Sequence, residues 1–279
     1  MQHNNKWKKS TLALIVSSLF ASPLFAEETT EENKEVEVEQ PSKFGGSVSV
    51  AYDTNIYNKD DYRSVRNFSW SGTLTYRLND NFNSYLSSGG YRALEDEVGT
   101  YATDSVIGLS YSNLFTFGET GKASLSGQFT IPTSETSDND ELITALRVAM
   151  PMSAKAFGVN FSLSPRLRKN FHEYKTAGGR SLTEWAYSLS AGASYSFTKL
   201  TLGISALGGN SISYQGTRRE SITYGGSLYG AYQLTDHFNF SLTAATSGFY
   251  ADAERGTLGS IDLFDADRAS YIAQVTYSF

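Results

Sequence analysis

The last eleven residues, Ala269 to Phe279, read A-S-Y-I-A-Q-V-T-Y-S-F. One parity, Ala269, Tyr271, Ala273, Val275, Tyr277 and Phe279, is apolar or aromatic; the other, Ser270, Ile272, Gln274, Thr276 and Ser278, is polar except for Ile272. A period of two is the signature of a β-strand with one oily and one wet face. The strand ends on an aromatic residue, and no tail is expected beyond it. Similar alternation recurs back to Phe44, so the whole of 44–279 reads as strands joined by polar connections.

The first 26 residues differ from the rest. Lys6, Lys8 and Lys9 form a basic start, Thr11 to Phe20 is a short apolar run, and Ala26 closes a Ser-Pro-Leu-Phe-Ala segment. This is the pattern of a secretory signal peptide, and its apolar run falls short of the roughly 20 residues that a spanning helix needs. Residues 27–43, EETTEENKEVEVEQPSK, carry seven Glu against two Lys. A run so acidic cannot bury a core, so a solvated tail on the periplasmic side is expected, with a plug folded into the lumen as the alternative.

The chain has no Cys, which leaves no disulfide framework, lipid-modified N-terminus or cysteine metal site to expect. Removing residues 1–26 takes three lysines and no acids from 23 basic and 29 acidic residues, leaving a formal charge of −9. Nucleic acid is therefore not an expected partner. No second continuous apolar run occurs, which argues against helical spans but not against a barrel, whose alternating strands average to neutral.

Short polar turns fall at Asn79–Asn81, Thr116–Gly121, Ser153–Lys155, around Thr198, and at Thr235–His237. Longer polar segments fall near Asn58–Ser64, Ala93–Thr103, Thr133–Glu141, Lys169–Thr183, Gln215–Glu220 and Ala251–Ala266. Five short and six long connections join twelve strands. The expected fold is all-β: a closed antiparallel up-and-down transmembrane β-barrel of about twelve strands, with both termini in the periplasm. Closure is required because an open edge in lipid leaves backbone amides unpaired.

Parity assigns the faces. Val48, Val50 and Tyr52, Phe68, Trp70 and Leu74, Ile107 and Leu109, Leu125 and Phe129, Leu146 and Val148, and Phe157 through Leu163 in steps of two are expected outward. The third strand, Phe82 to Arg92, fits poorly, because Tyr85 and Tyr91 fall on the opposite parity to Phe82 and Leu86; a bulge there is one way to rotate its register. The inward sets are small and polar, for example Ser47, Ser49 and Ala51, Ser69 and Ser71, Ser126 and Gln128, and Ser188 and Ser190. About twelve strands enclose more volume than such residues fill, so water is expected in an open or partly open pore.

Charges on the lumen parity are few. Asp53, Asp104, Arg166, Arg168, Glu184 and Arg268 are expected toward the extracellular mouth, Arg77 and Lys122 toward the periplasmic one, and Arg147 near mid-barrel. A charge at membrane depth facing water is a functional candidate, with a lumen ion pair as the equal alternative. An open pore with Arg147, Arg166 and Arg168 implies a mild anion preference.

Catalysis and metal binding find little support. His172 and His237 are expected on opposite sides of the bilayer, in the contexts His172-Glu173-Tyr174 and His237-Phe238-Asn239. Neither gives the His-x-Ser pair of outer-membrane phospholipases, and no motif joins Asp104, Glu184 and His172 into a protease-type site. Two distant His residues offer no metal-ligand spacing, and Ser137–Glu141 lacks the spacing of a dedicated Ca²⁺ loop. No cofactor and no enzymatic activity are expected.

The terminal strand, with Tyr277 and Phe279, resembles the C-terminal strand of Gram-negative outer-membrane β-barrels. That resemblance implies recognition by the barrel assembly machinery and partners in outer-membrane lipid and lipopolysaccharide. At the level of architecture the barrel region resembles the small monomeric oligosaccharide porins of the oligogalacturonate-specific type, which implies passive diffusion of small hydrophilic, including acidic, solutes. It also resembles the twelve-stranded translocator of autotransporters in its solitary form, since the short tail leaves no room for a passenger. That second resemblance implies a non-conducting structural or surface-interaction barrel.

Overall fold

The structure, a computed structural model, describes residues 42–95, 98–219, 222–246 and 269–279. The signal segment, residues 27–41, the Ala251–Ala266 loop and Arg268 lie outside the described residues. Twelve strands form the wall: β1 (Phe44–Thr54), β2 (Arg66–Arg77), β3 (Phe82–Ala93), β4 (Ser105–Phe117), β5 (Gly121–Ile131), β6 (Leu142–Ala149, resuming as Met152–Ala156), β7 (Val159–His172), β8 (Thr183–Ser196), β9 (Leu200–Ser213), β10 (Thr223–Gln233), β11 (Phe238–Thr246) and β12 (Ala269–Ser278). Each pairs antiparallel with its sequence neighbours, and β12 returns to β1 through pairs from Ser47–Ser278 to Thr54–Tyr271. The sheet has no free edge.

Closure is finished by the final residue. Phe279 exchanges two backbone hydrogen bonds with Gly46, each 3.0 Å, and its ring lies where a Cβ on Gly46 would come within 2.8 Å of Cζ. Glycine at 46 is what lets the terminal aromatic lie flat against β1.

The outward face is apolar. Val48, Val50, Phe68, Leu74, Ile107, Phe129, Val148, Phe161, Leu189, Ile204, Leu228 and Leu242 are all exposed, on strands whose opposite parity is Ser, Thr, Gly and Asn. In a soluble protein such a belt is a liability; around a closed barrel it is the surface that hydrocarbon covers. Aromatics collect at the short-turn end, where Phe44 meets Tyr76 at 4.8 Å, Phe82 meets Tyr111 at 4.7 Å, and Phe238 meets Tyr277 at 5.0 Å between ring centroids. This is a girdle at a water–lipid boundary.

Three expectations are corrected. Ser153–Lys155 is not a turn but lies in the second part of β6. That strand breaks at Met150–Pro151, where proline has no N–H to give, and resumes at Met152. The turn is Phe157–Gly158, with φ of 53° and 78°, the geometry of a two-residue hairpin matched to strand twist. Phe157 is therefore a fully exposed turn residue rather than part of the outward strand face. Finally, β3 has no bulge: its register with β2 is continuous from Asn67–Ala93 to Arg77–Asn83, and Tyr85 and Tyr91 simply point into the lumen.

Several long connections carry structure of their own. Gly99–Ala102 extends the β3 ladder beyond the wall, Glu135–Asn139 is a short helix, and Thr176–Ala177 with Arg180–Ser181 makes a hairpin turned by Gly178 and Gly179. In the first long connection Arg63 grips Asp61 through Nη2–Oδ2 (2.7 Å) and Nε–Oδ1 (3.0 Å) and lies 4.0 Å over the Tyr57 ring. Those hydrogen bonds hold the half-buried Asp61 carboxyl down to about 2.

The outward assignment makes a direct prediction. Val148→Arg places a guanidinium on the lipid face beside the lumen-facing Arg147 and is expected to cost about 2–4 kcal/mol if it lies near the bilayer midplane. Denaturant titration of the protein refolded into lipid vesicles measures it, and a cost near zero contradicts the outward placement of that parity.

Candidate functional site

The strands are strongly tilted, and this decides which residues meet in the lumen. A single ladder row starts at Gly45 on the short-turn rim and passes through Thr75, Tyr85, Gly108, Gln128, Arg147, Arg168 and Ala186 to Ser211, close to the long-loop end of β9. Tyr85, Gln128, Arg147 and Arg168 are thus lumen-facing positions of one row part-way up the barrel, with Gly108 between the first two.

Two hydrogen-bonded groups hold them. Gln128 Oε1 accepts from Tyr85 Oη at 3.0 Å and from Arg147 Nη2. Arg168, directly opposite Arg147, donates from Nε to Asn170 Oδ1 at 2.7 Å, and Asn170 Nδ2 donates to the Thr183 carbonyl at 3.0 Å. Arg166 stands two residues nearer the short-turn end on the same face, opposite Ala149 and Ser188. The Tyr85 ring lies over Gly108, where any Cβ would collide with it; Tyr229 lies over Gly203 in the same way. Glycine on the neighbouring strand gives these two rings a flat seat.

Of the acids expected in the lumen and described, Asp104 and Glu184 are engaged elsewhere and Asp53 is buried in the wall. Asp104 accepts from the Thr133 and Ser134 amides at 3.2 and 3.0 Å and from Ser137 Oγ at 2.6 Å, so it anchors the short helix of the β5–β6 connection. Glu184 lies 3.3 Å from Lys169 Nζ, whose ammonium sits 4.6 Å over the Trp185 ring on the outer side. Asp53 is 2 % exposed; Asn67 Nδ2 donates to its Oδ2 at 3.3 Å, and its Oδ1 has no hydrogen-bond partner. Among the described residues, the charged side chains at mid-height on the wall from β5 to β7 are Arg147, Arg166 and Arg168.

The opposite wall is different. Ser49, Ala51, Asp53, Ser69, Ser227 and Ile272 face inward and are all buried, and hydroxyls bridge neighbouring strands there, Ser49 to Ser71 at 2.7 Å and Ser205 to Ser227 at 2.6 Å. The cross-section is asymmetric, with a polar, charged side and a packed side of small residues.

The two described histidines lie at opposite ends. His172 ends β7 with Nδ1 3.3 Å from Tyr214 Oη, while His237 sits in the β10–β11 turn with Nδ1 2.8 Å from the Ser278 carbonyl oxygen. Asp104 and Glu184, with the partners above, do not assemble with His172. Ser137–Asn139 belongs to the short helix, and among the described residues no group of three or more potential ligands is placed to hold a metal ion.

Sequence reasoning missed Tyr85 as a lumen residue, although an aromatic on the polar parity was the signal for it. Gln128 was placed on the right face without its role as the acceptor that joins Tyr85 to Arg147. Replacing it isolates that role: Gln128→Leu removes the acceptor of both groups and is expected to destabilise by about 1–3 kcal/mol, whereas Tyr85→Phe removes one neutral donor and costs about 0.5–1.5 kcal/mol. A double-mutant cycle in denaturant checks this, and strict additivity contradicts the shared acceptor.

No family model and no curated protein sequence matches the chain. Among solved structures it is similar to the NanC porin in a rhombohedral crystal form, with a TM-score of 0.55 at 10 % identity over 83 % of this chain and 98 % of that one. It is also similar to an outer membrane channel from Pseudomonas putida F1, with a TM-score of 0.57 at 12 % identity over 89 % of this chain and all of that one. The KdgM porin in complex with disordered oligogalacturonate aligns at a TM-score of 0.49 and 13 % identity over 84 % of this chain and 99 % of that one. At such identities the likeness is one of fold: this closed twelve-stranded barrel shares its fold with outer-membrane porins and channels.

Proposed function

We propose that the protein is an integral outer-membrane channel for passive diffusion of small hydrophilic solutes, with a mild preference for anions. The observation that carries the reading is the cluster of Arg147, Arg166 and Arg168 on one lumen wall, oriented by Gln128 and Asn170, while Asp104 and Glu184 are engaged outside that cluster. Its physical basis is that fixed cations lining a water-filled constriction lower the electrostatic barrier for anions. The fold shared with porins supports the same reading. The short turns and both termini then face the periplasm, the long loops face outward among lipopolysaccharide, and Tyr277 and Phe279 serve as the signal to the assembly machinery. The chemistry is transport without a bond made or broken.

The buried lumen wall of β12, β1 and β2 favours a second reading, a barrel too occluded to conduct whose external loops do its work. Planar-bilayer recording of the refolded protein under a salt gradient separates the two. A channel gives stable conductance with an anion-sided reversal potential; silence from folded protein favours the surface role. Arg147→Glu converts the cluster's central charge opposite Arg168, and the reversal potential is expected to move toward the cation side. If it stays where the unmodified protein has it, Arg147 does not line the conducting path.

A further inference from the structure

The short-turn end of the wall is uneven, and the β4–β5 hairpin overshoots its neighbour. β3 starts at Phe82, which faces Tyr111, and the last bond across that seam runs from the Ser112 N–H to the Asn81 carbonyl at 2.8 Å. Beyond it β4 continues to Phe117, and among the described residues no strand pairs with 113–117 on the β3 side. Residues 113–120 are all exposed.

The tip of the hairpin is also set off from the strands that carry it. Asn113 has a φ of 57°, and the register with β5 shifts there: Tyr111 faces Leu125 but Phe115 faces Ala123, so four steps along β4 match two along β5. A bulge of this kind bends a strand and interrupts its ladder. On the β6 side the rung at the same level is half made, because Ser124 donates its N–H to the Pro151 carbonyl at 2.8 Å and Pro151 has no N–H to return. Past that rung the tip pairs with β6 through Ala123–Met152 and Lys122–Ser153. Thr120 ties the end down: its Oγ1 donates to the Lys155 carbonyl at 2.8 Å and accepts from the Lys155 N–H at 2.9 Å.

We propose that the hairpin tip, residues 113–123, is a hinged flap at the short-turn mouth that bends at Asn113 and Ser124 and is latched to β6 by Thr120. With the latch made, the tip continues the wall; with the latch released, it swings over the mouth and closes it. The five residues from Asn113 to Phe117 give it an arm of about 17 Å. Release breaks no rung to β3, since none is described beyond Ser112. Phe82 and Tyr111 belong to the aromatic girdle, so the tip lies past the water–lipid boundary, where water pairs with freed amides and the cost of an open edge in lipid does not apply. The gating role rests on the channel reading, whereas the hinge and the latch rest on the backbone geometry.

The test separates those parts. Thr120→Val removes both latch bonds and keeps the side chain's shape; Thr120→Ser keeps the hydroxyl. Hydrogen–deuterium exchange of the protein in lipid vesicles, read by mass spectrometry, should show 113–123 exchanging about tenfold faster in Thr120→Val and near the unmodified rate in Thr120→Ser, with 105–111 unchanged. Equal exchange in all three proteins overturns the latch, and a rise spread over the whole barrel overturns the hinge. In planar bilayers Thr120→Val should close more often than the unmodified protein, and a disulfide introduced by Ala123→Cys with Met152→Cys should suppress the closures until it is reduced. That pair adjoins the Ser124–Pro151 rung, where antiparallel side chains come closest, and the chain has no other Cys to interfere. Closures that persist in the oxidised variant overturn the gating role. If no variant conducts, the channel reading fails, and the exchange comparison still decides the flap.

Discussion

Backbone hydrogen bonding in hydrocarbon is the constraint on which the rest of this structure depends. An unpaired amide at membrane depth costs several kcal/mol, so a sheet that faces lipid must close on itself. Here closure is made by β12 against β1 and completed where Phe279 and Gly46 exchange their amide hydrogen bonds. The apolar outer parity and the polar inner one follow from that closure, because a strand in a single-layer barrel has only two faces to offer.

Closure also requires tilt, and tilt determines the chemistry of the lumen. Tyr85, Gln128 and Arg147 are far apart in the chain and become neighbours only because the ladder climbs from the rim at Gly45 to Ser211. The same register sets Arg147 directly opposite Arg168. Like charges across a ladder repel, and the wall offsets this by giving each guanidinium an amide oxygen, Gln128 Oε1 for Arg147 and Asn170 Oδ1 for Arg168. The two guanidiniums are thereby oriented on the inward parity.

The chain is formally acidic, yet among the described residues the charged side chains at mid-height on the β5–β7 wall are arginines. Asp104 spends its carboxylate on the β5–β6 connection and Glu184 on a lysine of the outer side, while the acidic segment precedes β1 in the chain. Net charge describes solubility and long-range field; the sign of a lumen depends on which few side chains the parity turns inward.

The sequence by itself determined the class of fold, the strand count and nearly every outward face, because a period of two in a chain without long apolar runs has one solution in a membrane. It also marked Arg147 as lumen-facing, since parity is local. Its errors were local too: Ser-Ala-Lys at 153–155 has the composition of a turn, and only the pairing of β6 with β7 showed that the chain turns at Phe157–Gly158. Tertiary structure alone decided what the lumen residues touch. Tyr85 meeting Gln128, Asp104 anchoring the short helix and Glu184 turning to Lys169 all depend on inter-strand register and on the course of the connections. Those are set by the closure of the whole barrel and leave no periodic trace along any one strand.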